Sequence, residues 1–228
     1  MIQLDILSDP ICPWCYIGKT NLFRALERAG AHPFQIAWHP FELNPDMPPE
    51  GMDRRAYLEG KFGGRDGAVR AYAPVVAAAE AAGLSIDFAA ITRTPNTRDA
   101  HRLIHWAGLE GRQTPVAQAL FEAYFVDGRD IGDAGVLADV AAAQGLDREM
   151  IARLLATDAD REEIAAREAH SAKRGVTGVP VFVLANQAVV QGAQPPETWD
   201  RIVADVKAKL AETASAPDGA GHAPSGGT

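Results

Sequence analysis

The first part of the chain alternates between apolar and polar residues and then changes period. Residues 2–6, IQLDI, place an apolar side chain at every second position, which predicts a strand with one buried face. Residues 13–29 place leucines one helical turn apart and end before Gly30, so they are predicted to form a helix. Alternation returns over residues 34–41, FQIAWHPF. The N-terminal part is therefore predicted to be a β-α-β unit.

The middle of the chain is predicted to be helical. Residues 44–174 begin with a Pro-rich loop and continue with Ala- and Leu-rich segments separated by glycines, without a strand pattern. Two short strands, residues 179–184 and 188–191, follow as a hairpin. Residues 195–212 are predicted to form the last helix. Residues 213–228 are rich in Gly, Pro and small polar residues, a composition typical of a disordered tail.

Composition narrows the class of protein. The chain has 228 residues, of which 47% are hydrophobic, so it can bury a full core without disulfides or metals. Its formal net charge of -8 argues against nucleic acids and anionic membranes as partners, because both attract clusters of Lys and Arg. Residues 1–10 contain neither a basic segment nor a long apolar run, so we expect no signal peptide or transmembrane helix there. We therefore expect a cytoplasmic protein.

The strongest chemical signal is the segment SDPICPWCYIG, residues 8–18, which contains the only two cysteines of the sequence. Cytoplasmic thiols are kept reduced, so a close cysteine pair is more often catalytic or metal-binding there than a structural disulfide. Pro13 suits the first position of a helix, which makes Cys12 the predicted N-cap. Its sulfur would face unpaired backbone amides and the positive end of the helix dipole, and both favour the thiolate.

The positions of the two sulfurs predict different roles. We expect Cys12 to attack a disulfide and Cys15, one turn further into the helix, to close on Cys12 and expel the bound partner. Between them, Pro13 removes one backbone N–H, and Trp14 supplies an apolar cover. Both intervening residues are therefore candidates for contact with a substrate.

Several blocks along the chain resemble the DsbA family of thiol-disulfide oxidoreductases, in particular its FrnE-like branch. The blocks are DPICPWCYIG, PFELNP, NTRDAHRLIHWA, GVTGVPVFVL and GAQPPETW, and they extend over the whole chain apart from its tail. The resemblance implies an α/β protein with a thioredoxin-like fold and a large all-helical insertion. The thioredoxin-like domain would then be discontinuous, with residues 1–43 and 175–212 on either side of a helical domain of residues 44–174.

The resemblance also assigns a role to Val179 and Pro180. In the DsbA family, the proline opposite the cysteine pair follows a cis peptide bond, and the residue before it offers its backbone to an extended substrate. Without the resemblance, a trans bond at the start of a strand would be the more ordinary interpretation, since only about 5 to 6% of X-Pro bonds are cis. We expect the cis form, with both residues beside Cys12 and in contact with substrate.

A zinc site is a second interpretation of the cysteine pair. Cys12 and Cys15 have the spacing of zinc ligands, and His101 and His105 stand four residues apart on a predicted helix. The two pairs are too far apart in the sequence for a zinc finger, and Pro-Trp between the cysteines fits redox exchange better. We therefore expect no metal and interpret both histidines as polar residues on the flank of a helix.

Two further titratable residues lie near the ends of predicted strands. Asp9 is interpreted as a turn residue, and the alternative is a carboxylate that tunes Cys12 or relays a proton. His39 is interpreted as a residue on the face of a strand rather than as a base.

The sequence thus predicts a thiol-disulfide oxidoreductase that exchanges or isomerises disulfides through Cys12 and Cys15. Its expected substrate is a disulfide or thiol of another protein or of a small molecule. We expect no bound cofactor, and a thiol reductant such as glutathione is the expected electron partner. The sequence indicates no oligomeric state.

Two other functions stay open. One is a glutathione-dependent isomerase or transferase of the hydroxychromene-carboxylate isomerase or kappa type. Those proteins carry Ser in place of Cys12 and a Ser-Asp-type pair near the last helix, where this chain has Gly-Ala-Gln at residues 192–194. The other is a protein-binding module whose affinity is switched by the redox state of the cysteine pair.

Overall fold

The computed structural model describes residues 1–215, which form a sheet surrounded by helices. Among these residues, no helix combines the length and the apolar character needed to cross a membrane. In chain order the elements are β1 (Ile2–Ser8), α1 (Pro13–Ala29), β2 (Phe34–Pro40), β3 (Met52–Asp53), α2 (Arg54–Phe62), α3 (Arg65–Ala81), β4 (Arg93–Thr94), α4 (Arg98–Leu109), α5 (Gln113–Phe125), α6 (Ala134–Ala143), α7 (Arg148–Leu155), α8 (Arg161–Lys173), β5 (Val181–Leu184), β6 (Ala188–Gln191) and α9 (Pro196–Ser215).

The main sheet has four strands in the order β2-β1-β5-β6. β1 pairs in parallel with β2, and Ile2 lies opposite Phe34. β5 runs antiparallel to β1, and β6 returns antiparallel to β5 through a turn in which Ala185 and Asn186 adopt left-handed backbone angles. The β1-α1-β2 unit and the β5-β6 hairpin are those predicted from the sequence. Their arrangement is that of an α/β thioredoxin-like fold.

Both faces of the sheet are covered around β1 and β5. Leu4 of β1 and Phe182 of β5 are fully buried in one core together with Trp199 of α9. On the opposite face, Leu7 and Val181 belong to a smaller apolar cluster. The side chains of β1 are packed on both faces of the sheet. The end of β1, from which residues 9–12 continue into α1, is therefore held in place.

The insertion is helical except for one short pair of strands. β3 and β4 pair antiparallel, with Met52 opposite Thr94, so the prediction of an all-helical segment at residues 44–174 was wrong at this point. Two residues are too few to show an alternating pattern, and hydrophobic periodicity could not reveal them. Gly51 precedes β3 with a φ of 69°, and a Cβ there would lie 2.6 Å from the carbonyl oxygen of Thr94. This close approach requires a glycine.

Several predicted boundaries differ from the structure by one to three residues; β1, for example, continues to Ser8. β5 begins at Val181, two residues later than predicted, because Pro180 has no N–H to donate to the strand ladder. α9 continues to Ser215, three residues beyond its predicted end. Most of the predicted disordered tail, residues 216–228, lies outside the described residues.

We predict that Trp199→Ala destabilises the fold strongly. The indole ring of Trp199 is fully buried and meets the ring of Phe182 edge-on, with 4.7 Å between the ring centroids. Its removal leaves a cavity between α9 and β5 and should lower the free energy of unfolding by about 3–5 kcal/mol. Urea denaturation measures the change. Leu210→Ala, at an exposed position of α9, is the control and should cost less than about 0.5 kcal/mol. Equal losses would contradict this packing.

Candidate active site

The cysteine pair lies at the junction of β1 and α1. Cys12 is the N-cap of α1, with extended backbone angles (φ -85°, ψ 113°), and Pro13 begins the helix. The backbone N–H of Cys12 donates to the carbonyl oxygen of Asp9 at 2.9 Å. The N–H groups of Cys15 and Tyr16 donate to the carbonyl oxygen of Cys12 at 3.0 and 3.2 Å. The structure thus contains the N-cap that Pro13 predicts.

Both sulfurs are shielded from solvent. Cys12 and Cys15 are free cysteines that expose 3% and 1% of their surface. The Sγ of Cys12 lies 3.7 Å from the carbonyl oxygen of Val179, to which its thiol can donate a weak hydrogen bond. Burial raises the pKa of the Cys15 thiol well above its usual range, and the nearby Cys12 raises it further. Cys15 is therefore a neutral thiol at physiological pH.

The segment before β5 packs closely against α1. The Val179–Pro180 peptide bond is cis, the isomer that the family resemblance implies. A Cβ added to Gly18 of α1 would lie 3.1 Å from the Cγ of Pro180 and 3.2 Å from the Cα of Ala193. A side chain at position 18 would therefore push this segment away from the helix. Sequence analysis did not single out Gly18, because a glycine inside a helix does not indicate its contact partner.

A buried carboxyl group supports the loop that carries the cysteines. Asp9 is fully buried, and its oxygens accept the N–H groups of Leu43 at 2.7 Å and of Ile11 at 3.2 Å. Burial raises the pKa of Asp9 to about 7, although both hydrogen bonds favour the charged form. The contact with Ile11 is the turn contact expected for Asp9. The contact with Leu43, which ties the loop to the segment after β2, was not predicted.

Two other carboxyl groups, those of Glu42 and Glu168, repel the charged form of Asp9. Glu42 accepts two hydrogen bonds from the guanidinium group of Arg98, at 2.7 and 3.0 Å. Burial, together with the nearby Glu42, raises the pKa of Glu168 to about 7. The acids near the cysteine loop are therefore either paired with an arginine or partly protonated at neutral pH.

The histidines occupy different environments. The prediction of a helix flank was wrong for His101, which is buried because α4 is covered over most of its circumference. Burial, together with the charges of Arg98 and Arg167, lowers the pKa of His101 to about 3. His105 is only partly buried, and its Nδ1 lies 3.1 Å from a guanidinium nitrogen of Arg167. His39, on β2, contacts the other terminal nitrogen of that guanidinium group at 3.1 Å.

The cysteine and histidine pairs considered as zinc ligands do not come together. Within residues 1–215, no group of three or more His, Cys, Asp or Glu side chains is placed to hold a metal ion. The Cys2His2 set considered from the sequence is therefore not assembled by the fold.

A cavity of about 260 Å³ lies beside Cys12. Pro13 and Trp14 line it from α1, and Val179 lines it from the segment before β5. Pro180, the fourth predicted substrate contact, is not among its lining residues. The remaining wall comes largely from the insertion, which thus completes the surface that a substrate would meet next to Cys12.

We predict that Asp9 makes stability depend on pH. Its pKa is about 7 in the folded protein against an ordinary value of 3.8, so the folded state keeps a proton that the unfolded state loses between these values. Its contribution is fully present below about pH 4, falls by about 1.4 kcal/mol per pH unit as the pH rises, and is lost above about pH 7. Asp9→Asn should remove this pH dependence, which changes the free energy of unfolding by on the order of 3–4 kcal/mol between pH 4 and pH 7.

Urea denaturation of both proteins at several values between pH 4 and pH 7 measures this slope. Asp46→Asn, at an exposed loop position, is the matched control and should follow the parent protein. A difference in unfolding free energy between Asp9→Asn and the parent protein that stays constant with pH would contradict the prediction.

The family described as DSBA-like thioredoxin domain matches residues 3–204 of the chain. A probable DsbA oxidoreductase from Streptomyces coelicolor is 31% identical, with a TM-score of 0.78 over 99% of this chain and 98% of that one. The cytosolic disulfide reductase DsbM from Pseudomonas aeruginosa, in a structure with GSH, is 20% identical, with a TM-score of 0.64 over 92% of this chain and 99% of that one.

A 2-hydroxychromene-2-carboxylate isomerase has the same fold at 17% identity, with a TM-score of 0.69 over 93% of this chain and 100% of that one. The family match includes both parts of the main sheet and the whole insertion. The Streptomyces structure is similar over nearly the full length of both chains. The chain therefore belongs to the DSBA-like thioredoxin domain family, that of the DsbA-like thiol-disulfide oxidoreductases.

Proposed function

We propose that this protein catalyses thiol-disulfide exchange, with Cys12 as the attacking sulfur and Cys15 as the resolving sulfur. One observation carries the proposal. Cys12 lines the cavity at the N-terminus of α1, whereas Cys15 lies one turn behind it in the core. A substrate in the cavity would therefore meet the sulfur of Cys12 first.

The reaction has two steps. The thiolate of Cys12 attacks one sulfur of a substrate disulfide, forms a mixed disulfide and expels the other substrate sulfur as a thiolate. Cys15 then attacks the sulfur of Cys12 and releases the second substrate thiol, to which its proton passes. The protein is left with a Cys12–Cys15 disulfide, and two electrons have moved to the substrate. The reverse sequence oxidises a dithiol.

The residues around Cys12 suit the binding of a substrate. The carbonyl oxygen of Val179 lies 3.7 Å from the sulfur and offers an acceptor to a substrate backbone. Pro180 has no N–H, so it adds no donor beside the sulfurs. Pro13 and Trp14 supply an apolar edge to the cavity. We assign Pro13, Trp14 and Val179, which line the cavity, to substrate contact, and contact with Pro180 stays a prediction from the family resemblance.

The exchange requires no bound cofactor, because the sulfur atoms carry the electrons. We propose a disulfide or thiol of a protein or a small molecule as substrate, and glutathione or a comparable thiol as electron partner. The similar fold of the cytosolic reductase in its structure with GSH supports glutathione and a cytoplasmic location. The net charge of -8 supports neither nucleic acid nor membrane as a partner. The motif blocks favour the FrnE-like branch.

Alkylation should distinguish the two cysteines. At neutral pH, iodoacetamide should modify Cys12 at least about tenfold faster than Cys15, whose raised pKa lowers its thiolate fraction. Mass spectrometry of the two cysteine peptides measures both rates. In concentrated urea, the control, the preference should largely disappear. Equal rates in the folded protein would contradict the assigned roles.

The two cysteine variants should fail in different ways. Cys15→Ser leaves Cys12 able to attack but removes the sulfur that expels the partner, so a mixed disulfide should accumulate. Cys12→Ser should form no such species and serves as the matched control. Non-reducing gels after incubation with insulin detect the trapped product. No trapped product with Cys15→Ser, or equal trapping with both variants, would exclude Cys12 as the nucleophile.

The same variants separate the other two functions. A glutathione-dependent isomerase should keep much of its activity in Cys12→Ser, because the isomerases that the chain resembles carry Ser at this position. A redox-switched binding module should bind a partner differently in its two redox states and should not reduce insulin catalytically.

A further inference from the structure

The cavity beside Cys12 contains charge that the exchange reaction does not use. Arg54 and Lys61 line it together with apolar and aromatic side chains, and none of the lining residues within the described chain is acidic. Both cations belong to α2 and stand seven residues apart, so they lie on the same face of that helix. A protein of net charge -8 thus places positive charge next to its proposed nucleophile. We call this cavity the Arg54 pocket.

Arg54 is buried without a carboxylate partner in the described chain. It exposes only 6% of its surface, and its guanidinium group donates to the hydroxyl oxygens of Tyr124 at 2.9 Å and of Tyr72 at 3.0 Å. An arginine has five side-chain N–H donors, so these contacts leave donors for a ligand. A buried charge is costly unless an opposite charge pairs with it.

The two tyrosines position the guanidinium group but do not neutralise it. Burial raises the pKa of Tyr72 and of Tyr124, so both phenols stay uncharged. The Cζ of Arg54 lies 5.5 and 5.8 Å from the centroids of the two rings, within the range of a cation–π contact. The positive charge therefore remains available to an anion in the pocket.

Two other arginines of the described chain show the contrast. Arg98 pairs with Glu42 at 2.7 Å, and the fully buried Arg102 pairs with Asp99 at 2.9 Å. In both cases the fold supplies the carboxylate. Within the described chain, the guanidinium group of Arg54 has only neutral hydrogen-bond partners, and Arg54 lines the Arg54 pocket.

We propose that the Arg54 pocket selects a small apolar or aromatic disulfide or thiol that carries a carboxylate, with Arg54 binding the carboxylate while Cys12 meets the sulfur. This proposal rests on the proposed exchange function and names its substrate class. A volume of about 260 Å³ is slightly below the roughly 300–1,000 Å³ of pockets for drug-sized ligands, so it suits one ring rather than a folded peptide. Lys61, at the exposed end of the same helix face, would add attraction for the anion.

Two aromatic disulfides test the selection. 5,5′-Dithiobis(2-nitrobenzoate) carries carboxylates, and 2,2′-dithiodipyridine is neutral. Attack by Cys12 of the reduced protein forms a mixed disulfide and releases one light-absorbing aromatic thiol, and Cys15 then releases the second. The first phase of the absorbance change therefore gives the rate constant of attack on each disulfide. We compare the rate constant for the anionic disulfide with that for the neutral one. The ratio of the first to the second should fall at least about tenfold in Arg54→Met, because the loss of a hydrogen bond to a charged group typically weakens an interaction by at least that factor. An unchanged ratio would overturn the proposal.

Arg55→Met is the matched control. Arg55 is the residue after Arg54 in α2, carries the same charge and pairs with Glu59 at 2.8 Å, but its side chain is 77% exposed and does not line the pocket. It should leave the ratio unchanged, which separates local binding from the net charge of the protein. If Arg55→Met lowered the ratio as much as Arg54→Met, the effect would not belong to the pocket, and the proposal would fail.

Two further variants keep the test decisive if Arg54→Met does not fold. Arg54→Lys keeps the charge but loses the planar fork of donors, so the ratio should fall part of the way. Lys61→Met changes an exposed residue and should also lower the ratio. A ratio that neither variant lowers would contradict the proposal.

A binding measurement separates the pocket from the exchange reaction. Calorimetry with 4-nitrobenzoate should show binding at least about tenfold tighter than with 4-nitrobenzamide, and Arg54→Lys should reduce that difference. Selective binding of the anion combined with no mixed disulfide in Cys15→Ser would retain the pocket and reject the exchange function. Equal binding of the two probes would reject the pocket as a site for anions, whatever the exchange assays show.

Discussion

The position of the proposed nucleophile depends on the buried carboxyl group of Asp9. Its oxygens accept the N–H of Ile11, in the cysteine loop, and the N–H of Leu43, at the entrance to the insertion. One side chain thus joins the two parts of the fold beside Cys12. A buried carboxyl group is tolerated when it is hydrogen-bonded or protonated. Asp9 accepts two hydrogen bonds and is partly protonated at neutral pH, because burial raises its pKa to about 7.

The short β3-β4 pair forms part of the cavity beside Cys12, since Thr94 of β4 lines it. It brings the beginning of α2 to β4, where the backbone N–H of Arg54 donates to the carbonyl oxygen of Thr92 at 2.9 Å. The hydroxyl of Tyr124 donates to the carbonyl oxygen of Arg93 at 3.0 Å and accepts from the guanidinium group of Arg54. The two-residue strands β3 and β4 therefore help to determine where the guanidinium group of Arg54 lies in the pocket.

Patterns local in sequence predicted the features that local geometry controls. Pro13 marked the start of α1 and made Cys12 its N-cap, alternation located β1 and β2, and two short valine-rich runs located the hairpin. The contacts that complete the site join residues far apart in the chain, such as Gly18 with Pro180 and Arg54 with Tyr124. Neither periodicity nor a short motif encodes such pairs. The roles of the cysteines rest on chemistry and family resemblance in addition to these patterns.

The charges around the site bear on the proposed attack of a Cys12 thiolate on an anionic substrate. Negative charge on both reactants would slow their encounter, and the net charge of -8 would add to the repulsion. The fold limits the negative charge near the cysteine loop, since Asp9 is partly protonated at neutral pH and Glu42 is paired with Arg98. Arg54, with no carboxylate partner in the described chain, then supplies net positive charge in the cavity itself. In the proposed function, local pairing and burial, rather than total charge, would therefore determine which substrates this site can admit.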